Sequence, residues 1–136
     1  MIMNRLVGLW SVDVLYGPGA QEDTVIAFMA NGEGWLAFYH YVLLERETFY
    51  WRIDDGGRLH ISGKTYAGYT LDDQWEEKPS DWTVLNLSFR IAGETVPSSE
   101  SMDVLTFSKP LWCNESRFGL LKKEVSRKEL PQFDHD

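Results

Sequence analysis

"DTVIAFMANGEGWLAF", Asp23 to Phe38, decides the fold. Its first half is dominated by β-branched and aromatic residues, which suit a pleated, half-buried strand. Asn31-Gly32 then offers the positive φ angles that tight hairpin turns require, and Gly34 allows a bulge or a close backbone approach just beyond it. In the continuation "WLAFYHYV", Trp35, Ala37, Tyr39 and Tyr41 alternate with Leu36, Phe38, His40 and Val42. Apolar bulk on both faces predicts a strand whose sides are each covered or amphipathic.

Extended structure continues outward from this hairpin. Upstream, "WSVDVLY" (Trp10 to Tyr16) alternates as a half-buried strand, and "GPG" at Gly17 to Gly19 breaks it. Downstream, "ERETFYWRI" places Glu45, Glu47, Phe49, Trp51 and Ile53 on one face and Arg46, Thr48, Tyr50 and Arg52 on a polar one. "DDGG" (Asp54 to Gly57) turns into "RLHISG", with Leu59 and Ile61 inward. "KTYAGYTL" is a weaker strand because of Gly68, and "DDQWEEKPSDW" (Asp72 to Trp82) reads as an acidic loop marked by Pro79. "TVLNLSFRI" (Thr83 to Ile91) sets Leu85, Leu87, Phe89 and Ile91 inward, and "MDVLTFS" and "SRFGLLKKE" supply the last strands. One domain over residues 1–125 is expected, with a charged tail over 126–136 interrupted by Pro131. The fold class is all-β, an antiparallel meander of about eight or nine strands that hides its edges by closing into a barrel.

Composition narrows the partners. A chain of 136 residues, 43% hydrophobic and 14% aromatic, has the material for one real core. Its 13 Lys and Arg against 21 Asp and Glu give a net charge of -8, which repels phosphate backbones and argues against nucleic acid. The single cysteine, Cys113, cannot form an intrachain disulfide, which fits a reducing compartment. No apolar run reaches signal-peptide length or the roughly 20 residues of a membrane span, so a cytoplasmic protein with no membrane partner is expected.

The opening "RLVGLWSVD" places Gly8-x-Trp10 where the first strand begins, and with the meander that follows it resembles the lipocalin-like, or calycin, barrels. The hairpin "DTVIAFMANGEGWLAF" is similar to that of small bacterial lipocalin-like domains, which carry a related Asn-Gly or Asp-Gly turn. The resemblance implies a calycin-like barrel with Trp10 across its closed end, beneath a late arginine, Arg117 or the competing Arg90. The Thr-Asp-Tyr motif of typical lipocalins is absent, as is the Arg-x-Tyr clamp of fatty-acid-binding proteins, because "SRFGLL" offers only Arg117. The likeness therefore concerns fold more than ligand.

Candidate site residues follow from the inward faces. Tyr39, Tyr41, Phe49, Trp51 and Phe89 would furnish an apolar cavity with phenolic hydroxyls to orient a small apolar or amphipathic molecule, or else they are ordinary core aromatics. His40 shares a face with Leu36 and Phe38 and reads as a general base, a haem ligand or a core histidine. Glu47, beside Glu45, would place a carboxylate at the barrel mouth to meet a cationic ligand or an inward arginine. Trp75, Glu76, Glu77 and Trp82, in the acidic stretch, form a candidate protein-interaction loop. No pair among His40, His60 and His135 has metal-ligand spacing, and no cofactor motif is present. Three functions follow. The first is small-molecule binding. The second is an acidic interaction module, such as an immunity-like inhibitor of a basic toxin. The third is a cofactor-free barrel enzyme using His40, Tyr39 and Glu47. A monomer is expected, or a homodimer through an exposed edge near Lys64 to Leu71.

Overall fold

A computed structural model describes residues 5–16 and 22–132. It contains ten strands: β1 (Gly8–Ser11), β2 (Glu22–Phe28), β3 (Glu33–His40), β4 (Val42–Ile53), β5 (Leu59–Tyr69), β6 (Trp75–Pro79), β7 (Thr83–Leu87), β8 (Phe89–Thr95), β9 (Ser101–Phe107) and β10 (Arg117–Lys122). They form one antiparallel sheet in the order β6-β5-β4-β3-β2-β1-β10-β9-β8, with β7 on the free side of β5.

The β2–β3 hairpin follows from its turn residues. Gly32 donates its backbone N–H to the Met29 carbonyl (3.1 Å) and adopts φ +88°, the left-handed position that closes a short hairpin loop. Trp51 of β4 clamps this turn: its backbone N–H reaches the Gly32 carbonyl at 2.8 Å, and its indole N–H reaches the carbonyls of Met29 (3.1 Å) and Glu33 (3.0 Å). Phe49 lies opposite Gly34 in the β3–β4 ladder, and its ring occupies the space a Cβ at Gly34 would need. The bare glycine thus lets an aromatic ring lie flat on the sheet.

Inward side chains from almost every strand meet in one core. Trp10, Ile26, Phe28, Leu36, Phe49, Trp51, Leu59, Ile61, Leu87, Leu105, Phe107 and Phe118 all belong to it. Phe28 stacks edge-on against Phe49 (5.7 Å) and Trp51 (5.4 Å), and Phe107 against Phe118 (6.0 Å). A second, outer cluster of Ala27, Met29, Trp35, Ala37, Leu43 and Ala67 is covered by Val125 and Leu130 from the C-terminal segment. Strand β3 is thus covered on both sides from Trp35 to Ala37, whereas His40, Tyr41 and Val42, the end of "WLAFYHYV", are exposed where the chain turns into β4.

Several expectations are corrected. The strand beginning at Trp10 ends at Ser11 and turns through Asp13–Leu15, because the Asp23 carboxylate captures the Ser11 hydroxyl (2.9 Å) and the Asp13 backbone N–H (3.0 Å). The "GPG" break lies outside the described residues. Ten strands replace about eight or nine, partly because the acidic stretch supplies β6. Within β6, Glu76 and Lys78 occupy the hydrogen-bonded positions facing β5, so Pro79 falls where its missing N–H points to the free edge. The run from Thr83 to Ile91 splits at Ser88 into β7 and β8. In β7, Leu85 and Asn86 both fall opposite His60, with Asn86 at φ +54°; this bulge keeps Val84 and Leu87 inward and leaves Leu85 69% exposed. Arg117 does not lie beneath Trp10: its neighbour Phe118 takes the inward position, and Arg117 pairs with Glu94 at 2.8 Å. The Trp10 indole N–H instead reaches the Leu6 carbonyl at 2.9 Å.

No ladder joins β6 to β8, so hydrogen bonds do not close the sheet. The consecutive strands β7 and β8 nevertheless pair with β5 and β9 respectively, and the Ser108 N–H reaches the Ser88 carbonyl between them at 2.9 Å.

Two outcomes test this packing. Gly34→Ala would place a methyl 2.3 Å from the Ala27 carbonyl oxygen and 2.6 Å from the Phe49 ring, so urea unfolding should show a loss of about 1–3 kcal/mol. At the β4–β5 turn, hydrogen bonds from His60 and from the Arg58 and Gly56 backbone N–H groups hold the Asp54 carboxyl at about 2. A depressed carboxyl stabilises the fold above its ordinary pKa and loses that contribution as pH falls through about 2. Asp54→Asn should therefore lower the melting temperature at neutral pH, and the difference from wild type should vanish as the pH approaches 2.

Candidate functional site: a carboxylate-lined cleft

The inner face of β4 passes from apolar to acidic along its length. Trp51 and Phe49 are buried in the core, and two residues further back comes Glu47, only 8% exposed, followed by Glu45. Period-two alternation carries both carboxylates to the same side as the aromatic core. Their ladder partners on β3 are Leu36 for Glu47 and Phe38 for Glu45, and the Phe38 ring packs 5.7 Å from Trp112 in the β9–β10 connection.

The opposite wall comes from β5 and β6. Gly63 pairs with Phe49 and Thr65 with Thr48, so Lys64 is an extra residue in β5. That bulge reverses the alternation and turns Tyr66 inward, opposite Glu47. The Tyr66 hydroxyl donates to Glu45 at 2.8 Å; Gly68 leaves it room, since a Cβ there would lie 2.5 Å from that hydroxyl. Ser80, just beyond β6, donates to Glu47 at 2.6 Å and accepts the Trp82 backbone N–H at 3.0 Å. Glu45, Glu47, Tyr66, Lys78, Pro79, Ser80 and Asp81 enclose a cleft of about 540 Å³.

Its electrostatics are those of crowded carboxylates. Burial raises the Glu47 pKa; the Ser80 hydrogen bond opposes the shift, and the charges of Asp81 and Glu45 add to it. Burial, the hydrogen bond to Glu45 and nearby acidic charges push the Tyr66 phenol up, which keeps it a neutral donor. Burial, then Asp23 and Glu22, raise Glu115, and burial, then Glu45 and Glu115, raise the Cys113 thiol. Such a cleft favours a positively charged or proton-donating group, whose arrival relieves the repulsion.

The structure does not bring the sequence-predicted residues together. Phe49 and Trp51 are core, and Phe89 packs on that core beside Phe107. Tyr39 lies on the outer face, where burial followed by the Asp23 charge raises its pKa. Tyr41, at φ +65°, is 71% exposed in the β3–β4 turn. His40 is exposed and lies 3.3 Å from Glu22. Tyr39, His40 and Glu47 therefore do not converge on one reacting centre. Of the acidic stretch, Trp75 packs against the outer cluster and the Tyr69 ring, and Trp82 against Phe49. Glu77 pairs with Arg46 at 3.0 Å on the outer face, and exposed Glu76 with Lys78 at 3.7 Å. Both tryptophans fold back on the protein. Sequence reasoning missed Tyr66 and Ser80, because the Lys64 bulge and the return of the chain after β6 are tertiary features; the one local signal was Gly63, a residue that often marks a bulge.

Among the described residues no group of three or more His, Cys, Asp or Glu side chains is placed to hold a metal ion, and no helix is long and apolar enough to cross a membrane. Comparison with protein families, with curated proteins and with solved structures finds no match for this chain.

The raised Glu47 pKa has a defined sign. A carboxyl that is harder to ionise in the folded state contributes stability below its ordinary pKa of 4.5 and loses it as pH rises through the folded value. Glu47→Gln should therefore be at least as stable as wild type at pH 7, with its advantage shrinking as pH falls through the raised folded value and gone by 4.5, measured by urea unfolding across pH.

Proposed function

We propose that this chain is a ligand-binding β-barrel of lipocalin-like type whose site is the carboxylate-lined cleft, and that it takes a small amphipathic molecule with a cationic head. Barrel closure is supported by β7 and β8, which run on from one another while pairing with opposite ends of the sheet order. A run of chain shared in this way covers part of the edges that an open sheet would expose. The observation that carries the ligand reading is Glu47: a carboxylate 8% exposed, flanked by Glu45 and facing a cleft of about 540 Å³. Phe38 and Trp112 on the Glu45 side supply π faces for the apolar body or for a quaternary ammonium group. Closely packed aromatics fill the rest of the inner face, so the ligand seats at the mouth of the barrel.

Benzyltrimethylammonium is a suitable probe. Isothermal titration should show saturable binding that tightens as pH rises and Glu47 ionises, and the double variant Glu45→Gln, Glu47→Gln should weaken it at least about tenfold. Neutral neopentylbenzene should bind less tightly. Absence of saturable binding at neutral pH, or equal affinity in the double variant, would refute the proposal.

A further inference from the structure

The C-terminal segment does more than cover the outer face. After β10 it turns back across β2 to β5, where the Ser126–Glu129 capping box shapes a short turn and Lys122 pairs with Glu129. Val125 and Leu130 seat on the outer cluster, and the Arg46 guanidinium fixes the Pro131 carbonyl at 2.8 Å. A cavity of about 200 Å³ remains between this strap and the sheet, the volume of roughly six or seven water molecules.

The polar lining of that cavity has an excess of donors. Trp35 contributes to its wall and is 2% exposed, yet its indole N–H has no acceptor among the described residues, whereas the equally buried indoles of Trp10 and Trp51 each have one. The Thr48 and Thr65 hydroxyls lie 2.6 Å apart and share one hydrogen bond, which leaves a second hydroxyl proton to donate. Lys64 and Arg127 flank Glu33 at 4.0 and 3.6 Å, both too long for close hydrogen-bonded pairs. Counting Arg46, three cations line the cavity against Glu33 and Glu77. Met29 and Leu130 form its apolar part.

We infer that this cavity is a second binding site, for a small carboxylate anion. Its oxygens would accept from the Trp35 indole and from Lys64 and Arg127, and its apolar remainder would lie against Met29 and Leu130. The Trp35 indole then gains the acceptor it lacks among the described residues, Lys64 and Arg127 gain a closer partner than Glu33, and the strap, through Arg127 and Leu130, becomes one wall of the occupied site. This site lies on the opposite face of the sheet from the acidic cleft and selects the opposite charge.

The test is a titration of the full chain with sodium benzoate, followed through the tryptophan indole N–H resonances. The Trp35 resonance, identified by its loss in Trp35→Phe, should shift saturably while those of Trp10 and Trp51 stay in place. Lys64→Gln and Arg127→Gln should each weaken the apparent affinity about tenfold or more, and Lys128→Gln, in the same turn but outside the cavity, should not. Neutral benzamide should leave the Trp35 signal in place. The inference is overturned if benzoate causes no saturable shift, which would mean the cavity holds solvent alone, or if benzamide acts equally well or both charge variants bind as wild type does, either of which would mean that the site does not select an anion.

Discussion

The alternation of β4 is the constraint on which the rest of the structure depends. From Glu45 to Ile53 the strand carries no inserted residue, so one uninterrupted face passes from Ile53, Trp51 and Phe49 to Glu47 and Glu45. The aromatic half needs a closed apolar interior, and the carboxylate half needs access to water or to a counter-charge. One strand thereby sets which end of the sheet is packed and which is open. Trp51 extends that role by holding the β2–β3 turn through both its backbone and its indole N–H.

Irregularities elsewhere in the sheet adjust the neighbours to this face. The Lys64 bulge turns Tyr66 toward the carboxylates, and Gly34 and Gly68 make room for the Phe49 ring and the Tyr66 hydroxyl. The Leu85–Asn86 bulge lets β7 bring both Val84 and Leu87 to the core. Each is a local break in period two, and each serves a contact between residues distant in sequence.

The two faces of the sheet differ in chemistry as well as in covering. Inside, the carboxylates of Glu47 and Glu45 meet neutral donors, and burial, with the charges of Asp81 and Glu45 adding to it, raises the Glu47 pKa. Outside, under the C-terminal strap, cations outnumber carboxylates around an indole N–H without an acceptor among the described residues. A net charge of -8 describes neither face, because charge was sorted by strand parity rather than by position along the chain.

Sequence alone determined the all-β class, the hairpin at Asn31-Gly32, the apolar bulk on both faces of β3, and the shared face of Glu45, Glu47, Phe49 and Trp51. These follow from turn chemistry and the two-residue period, which are local. Only the tertiary structure decided that Phe49 and Trp51 are core, that Tyr39 and Tyr41 lie apart from them, and that Tyr66 and Ser80 complete the cleft. It also turned the acidic stretch into an edge strand and folded its tryptophans back on the sheet, Trp75 on the outer face and Trp82 on the inner one, since pairing with β5 satisfies a backbone that a loop would leave to water. Parity tells which residues share a face; bulges and long-range pairing decide what that face meets.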